Sequence, residues 1–188
     1  MERLPYYITE TVEVKMNDWA FAPSGEEKIL KTAGVFPCIA LVITSQQGTY
    51  LGHFSDVQGH IQRGSLEPEI KTIDQMLLDV GARVDDENSQ VWVSGASPAS
   101  DEIRYNDDNP TAWAELAFDN FGYTLNLLKK HGFKEENIEE CMSGYDEILN
   151  LEVNSRSGKM SVEIKALAPD SSFTNDQRYW DFKNSKKY

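Results

Sequence analysis

Thr32-Ala-Gly-Val-Phe-Pro-Cys38-Ile-Ala-Leu-Val-Ile-Thr-Ser-Gln-Gln-Gly-Thr-Tyr-Leu-Gly-His53-Phe-Ser-Asp56 is the stretch around which the rest of the chain arranges itself. Ile39 to Thr44 is an apolar, β-branched run with the length of a strand buried on both faces. Ser45 to Gly48 is a polar turn, and Thr49 to Phe54 resumes strand-forming residues. The two runs make a hairpin with Cys38 at the start of one strand and His53 at the end of the other. In an antiparallel pair those ends lie side by side. One of two cysteines and one of three histidines in the chain therefore converge at one sheet edge. A thiol beside an imidazole is the pairing that nucleophilic acyl transfer needs.

A cysteine in an apolar strand is more often a small core hydrophobe than a nucleophile. Three local features favour chemistry here. Cys38 stands at the mouth of its strand, after the Gly34–Pro37 turn. Gly52, beside His53, lets another backbone or a substrate approach closely. Thr32, six residues before Cys38, offers a hydroxyl that could hold the imidazole.

Outward from the hairpin, residues 6–16 alternate as an opening strand, and Asn17 to Glu27, with Pro23 and Gly25, reads as a loop. Lys28 to Thr32 is a short strand, and residues 55–68 form a loop of the kind that rims a substrate groove. A helix is expected from Pro68 to Leu78, with Ile70, Ile73, Leu77 and Val80 on one face, Met76-Leu77-Leu78 in the core and Gly81 ending it. Gln90 to Ser94 is a strand closed by Gly95-Ala-Ser97, and Pro98 to Asn109 is polar. Asn109 caps a long helix that begins at Pro110 and stops at Gly132, burying Ala114, Ala117, Phe118, Phe121, Leu125 and Leu128. Asn137 to Cys141 is extended, and Leu149–Asn154 with Met160–Lys165 makes a closing hairpin. The fold class is α+β, a layered sheet sandwich with two main helices. Residues 1–168 form a single domain, and Pro169 to Tyr188 is a polar tail or strap.

The chain has 188 residues, enough for one domain with a real core. Its formal net charge of −13, with 31 acidic against 18 basic residues, argues against nucleic-acid or anionic-membrane partners. No apolar run is long enough to span a membrane, and no secretory leader is seen, so the expectation is a cytoplasmic protein or an effector exported without one. Two cysteines make no disulfide framework, and the spacing of His53 and His60 supports no metal site. No cofactor is expected. Cys141 reads as a core or edge thiol.

In order and spacing, residues 28–165 resemble the chemoreceptor glutamine deamidases (the CheD family), within a wider group of Cys–His deamidases that includes the cytotoxic necrotizing factor toxins. The resemblance lies in Thr32, Gly34 and Cys38 at the family's spacings, and in Gly52-His53 after the next strand. A helix with Gly81-Ala82, the run Val91-Trp-Val-Ser-Gly95-Ala96-Ser97, a long helix with Asn120 at the family's Asn, and Ser157-Gly158-Lys159 follow. Phe36-Pro37 stands where the family has Gly-Ser, Met142 to Leu149 lacks the family's second Gly and its Arg, and Ala117 replaces a Gly. These departures leave the triad intact and weigh against receptors as substrates.

The resemblance implies a protein-glutamine deamidase, with Cys38 as nucleophile, His53 as acid and base, and Thr32 holding the imidazole. Ser97, Asn120 and Gly52 are the expected substrate-binding residues, and the partner is a protein that presents a glutamine side chain. Two alternatives use the same scaffold. One is a catalytically silent binding module, supported if Phe36-Pro37 blocks the thiol. The other is a related cysteine amidohydrolase or a transglutaminase-type effector.

Overall fold

The computed structural model describes residues 9–36, 38–55, 71–83, 89–96, 110–143, 147–166, 176–181 and 186–187. Ser97, the expected loop beyond Ser55 and the polar segment 98–109 lie outside these residues. The strands are β1 (Glu10–Glu13), β2 (Asp18–Pro23), β3 (Lys28–Val35), β4 (Ile39–Thr44), β5 (Gly48–Phe54), β6 (Gln90–Ala96), β7 (Ile138–Ser143), β8 (Glu147–Asn154), β9 (Lys159–Ala166), β10 (Asp176–Asp181) and β11 (Lys186–Lys187). Two helices, α1 (Ile73–Arg83) and α2 (Pro110–Lys130), complete the described elements beside a short 3-10 turn at Glu135–Asn137. One sheet has the order β1-β3-β8-β9-β10-β11, the other β2-β5-β4-β6-β7. Both are mixed, because β1 runs parallel to β3 and β6 parallel to β7. The architecture is an α+β layered sandwich.

Period-two alternation sorts the side chains of the five-stranded sheet into two cores. Ala40, Val42, Leu51 and Trp92 meet Leu30, Val35, Leu151, Val153 and Val162 of the six-stranded sheet. Ile39, Leu41, Ile43, Tyr50, Phe54, Val91 and Val93 meet Ile73, Met76, Leu77, Val80, Phe121 and Leu128 of the helices. The central strands β4 and β5 are covered on both faces, and every residue in them is buried. That double cover explains why the apolar run Ile39–Ile43 has no polar alternation.

Several elements depart from the sequence reading. Asp18 to Pro23 is a strand rather than a loop, paired antiparallel with β5. Trp19 and Phe21 pack on Tyr50, with centroids 6.0 and 4.5 Å away, and Pro23 is tolerated because β2 is an edge. α1 begins at Ile73 and runs through Gly81 to Arg83. Its apolar stripe is Ile73, Met76, Leu77 and Val80, so Leu78 is exposed rather than core. On α2, Leu127 is buried and Leu125 only partly so. Residues 176–181 and 186–187 extend the six-stranded sheet as β10 and β11.

Candidate active site

Thr32 and Val35 both face the sandwich interior although they are three residues apart, which a regular strand does not permit. A bulge resolves the conflict. Thr32 pairs with Leu151 and Val35 with Leu149, so three steps on β3 oppose two on β8. Gly34 takes a left-handed φ of 72° within the bulge, and its N–H donates to Asn150 Oδ1 at 3.0 Å. The bulge leaves Thr32 aimed at the facing sheet.

What Thr32 meets there is His53, at 2.9 Å between Oγ1 and Nδ1. The Thr32 hydroxyl has one proton, and it goes to the Val14 carbonyl at 2.7 Å. The contact with His53 is therefore one in which Nδ1–H donates and Oγ1 accepts. In the neutral ring the lone pair then sits on Nε2, and that atom is buried with no hydrogen-bond partner among the described residues. Val14 is itself fixed, since its N–H donates to the Lys31 carbonyl at 2.8 Å. A chain of polar contacts thus crosses an otherwise apolar layer and ends in a bare imidazole nitrogen.

Cys38 lies in the same inter-sheet core as Ala40 and Val42. Ala40 is directly opposite His53 in the hairpin register. Two residues along on the same face, Cys38 is the diagonal neighbour of His53, a relation with Cα atoms about 7–8 Å apart across which long side chains reach each other. The thiol is 6% exposed and the imidazole 3%. Burial pushes the Cys38 thiol up from its ordinary value near 9 to about 11, and the thiol donates weakly to the Phe36 carbonyl, Sγ to O 3.8 Å. Burial likewise holds His53 down at about 4. Both groups are neutral near pH 7, so the site rests as thiol and imidazole rather than as an ion pair.

The other expected residues are placed differently. Gly52 faces the helices, on the opposite side of the sheet from His53, and a Cβ there would stand 2.4 Å from the Phe54 ring and 2.8 Å from Met76 Sδ. Its missing side chain makes room for core packing. Asn120 is buried on α2 with no partner for Oδ1 among the described residues, beside Phe121, whose ring covers Gly95 at the Cys38 end of the sheet. Cys141 is buried on β7, next to Ser94 in register.

Two residues at this end escaped the sequence reading. Ser94 is fully buried, and its Oγ accepts the Ala40 N–H at 2.9 Å just where the β4–β6 ladder stops at Leu41 and Val93. A hydroxyl at an inward position of the apolar run Val91-Trp-Val was the available signal. Asn17 precedes β2 in a left-handed conformation and bonds to the His53 carbonyl and to the Ser55 N–H at the end of β5. A cavity of about 430 Å³ lies on the outer face of the six-stranded sheet, lined by Glu13, Lys31, Asn150, Glu152 and Glu163. Its lining also includes Thr32, the residue bonded to His53.

Among the described residues no helix is long and apolar enough to cross a membrane, and no group of three or more His, Cys, Asp or Glu could hold a metal ion. No protein-family model and no curated protein sequence matches the chain. Among solved structures, the fold is similar to the C-terminal domain of CNFy from Yersinia pseudotuberculosis, with a TM-score of 0.45 and 8% identity. The similarity covers 91% of this chain and 61% of that one, so the chain spans less than two thirds of the structure it matches.

Proposed function

We propose that the protein is a cysteine-dependent amidohydrolase acting on the side-chain carboxamide of a protein glutamine, with Cys38, His53 and Thr32 as its working residues. The observation that carries this reading is the fixed imidazole tautomer: Nδ1–H is committed to Thr32, and a bare Nε2 remains on the face that also carries Cys38. The order and spacing of the deamidase-like motifs in the sequence support it independently.

The neutral resting pair dictates the order of events. Sγ attacks the carboxamide carbon while its proton passes to His53 Nε2, so that thiolate and imidazolium need not exist beforehand. The resulting oxyanion would be held by backbone N–H groups at Cys38 and near Gly95-Ala96-Ser97, each worth roughly 3 kcal/mol when well placed. The imidazolium then gives its proton to the departing nitrogen, ammonia leaves, and a thioester on Cys38 remains. Nε2 next takes a proton from water as it attacks the thioester. Glutamate is released, and the thiolate recovers its proton from the ring. Asn120, whose buried Oδ1 has no partner among the described residues, is the candidate for meeting the substrate amide. Chemoreceptor substrates are not part of this proposal.

The burial of the thiol and its raised pKa favour one rival, a binding module that retains the pair without using it. The two readings separate on the rate of carboxamidomethylation of Cys38 by iodoacetamide, measured against pH in a Cys141→Ser background. If Nε2 accepts the thiol proton, His53→Ala slows the reaction at neutral pH by about tenfold or more, and incubation with a cell proteome yields glutamine-to-glutamate mass changes that Cys38→Ser abolishes. A rate identical in His53→Ala that rises only in alkali, with no such mass changes, leaves the binding module.

A further inference from the structure

His53 is the last but one residue of its strand, so something must stop the strand end from fraying and letting the ring rotate away. The residue that does so is Asn17, and its contacts converge there from four directions. Its N–H donates to the His53 carbonyl at 2.6 Å, and its own carbonyl accepts the Lys71 N–H at 3.2 Å. Its side-chain Oδ1 accepts both the backbone N–H and the hydroxyl of Ser55, each at 2.9 Å. Its backbone sits at φ 59°, a left-handed conformation that Asn tolerates better than most residues.

The register gives these bonds their meaning. Ile39 pairs with Phe54 and Ala40 with His53, the last rungs of the ladder, and Cys38 and Ser55 are the next residues of the two chains beyond it. Asn17 therefore holds the backbone of the imidazole-bearing residue and, just past the end of β5, both the N–H and the hydroxyl of Ser55. The following residue, Asp18, is the cross-strand partner of His53 on its other side. Its carboxylate is already engaged, by Lys71 at 2.7 Å and by the Trp19 N–H at 2.7 Å, so it stiffens the grip rather than pairing with the ring.

We propose that Asn17 is a positioning residue for the Cys38–His53 pair, locking the end of β5 so that the Nδ1–H of His53 stays on Thr32 and Nε2 stays available to the thiol. Its catalytic consequence rests on the amidohydrolase reading; the geometric claim does not. Asn17 touches neither reacting group through its side chain, and it acts through Ser55 and the strand.

The test uses three variants of the full chain in the Cys141→Ser background, with the imidazole nitrogens labelled with ¹⁵N. Asn17→Gly keeps the left-handed backbone and removes the double acceptor. Asn17→Asp keeps both acceptors. Ser55→Ala removes only the hydroxyl that Asn17 holds, which covers the case in which the glycine variant does not fold. The expected result is a single Nδ1–H tautomer for His53 in the parent and in Asn17→Asp, against mixed tautomers in Asn17→Gly and a smaller change in Ser55→Ala. Carboxamidomethylation of Cys38 should slow about ten- to a hundredfold in Asn17→Gly and recover in Asn17→Asp. An unchanged tautomer signal in both Asn17→Gly and Ser55→Ala would overturn the inference, whatever the activity. A scrambled tautomer in Asn17→Gly alongside a parent that deamidates nothing would uphold the clamp and remove the amidohydrolase reading instead.

Discussion

The single proton of Thr32 decides which nitrogen of His53 is basic. Because that proton is committed to the Val14 carbonyl, the imidazole has to donate from Nδ1, and removing the hydroxyl undoes both arrangements together. Thr32→Val is close to isosteric and leaves the Val14 carbonyl and the Nδ1–H buried without partners. We expect it to destabilise the fold by roughly 1–3 kcal/mol, read as a lower urea midpoint. Thr32→Ser keeps both bonds and should recover most of that loss, along with the reactivity of Cys38. A Thr32→Val protein as stable and as reactive as the parent would show that the polar chain between the sheets is dispensable. Ser94 makes a parallel case. Its hydroxyl stands in for a ladder carbonyl, and Ser94→Ala leaves the Ala40 N–H orphaned two residues from the thiol.

Among the elements, the bulge of β3 carries the most consequence for the least sequence. A Cβ added at Gly34 would have no heavy atom within 4 Å, so a substitution there meets no crowding. Its cost is purely that of the left-handed backbone, about 1–2 kcal/mol for Gly34→Ala, with Gly34→Asn milder. Chemical denaturation should rank the parent first, Gly34→Asn next and Gly34→Ala last, and equal midpoints would mean that the bulge relaxes freely. Gly95 is the opposite case, since an added Cβ would fall 2.2 to 2.9 Å from Phe121. Gly95→Ala should push α2 off β6 and destabilise by roughly 1–3 kcal/mol. The same contrast marks what was legible in the sequence. The β4–β5 hairpin could be read because its apolar run and polar turn are local signals, and the register placing Cys38 diagonal to His53 follows from them. β2 could not, because Asn17-Asp-Trp-Ala-Phe-Ala-Pro23 carries turn residues at both ends, and its strand character comes from packing Trp19 and Phe21 on Tyr50. The clamp by Asn17 was hidden with it.

At the scale of the whole molecule, the partition of the strands into two sheets decides the electrostatics of the site. Nothing local announces that Thr32 and His53 belong to different sheets, since their strands are separated only by β4 in the chain. The consequence is that a histidine and a cysteine share the dry layer between the sheets, where either charge is costly. This sets a stability window with both edges assignable. His53 has a folded pKa of about 4 against an ordinary 6.5, so as pH falls below 6.5 the unfolded chain takes up a proton that the folded one refuses. Stability present above 6.5 is lost towards 4, and the full shift corresponds to roughly 3 kcal/mol. Cys38, with a folded pKa of about 11 against an ordinary 9, works in the other direction: the unfolded thiol ionises first, and stability present below 9 is lost as pH rises towards 11. The non-titrating variants His53→Gln and Cys38→Ala isolate each edge from the many surface acids. Subtracting the unfolding free energy of His53→Gln from that of the parent should give a difference that declines from pH 6.5 to pH 4 and is flat above. The same subtraction with Cys38→Ala should be flat up to about pH 9 and decline beyond. Two flat differences across both ranges would mean that water reaches the layer between the sheets, and that the neutral resting pair, with the order of proton transfers built on it, does not describe this site.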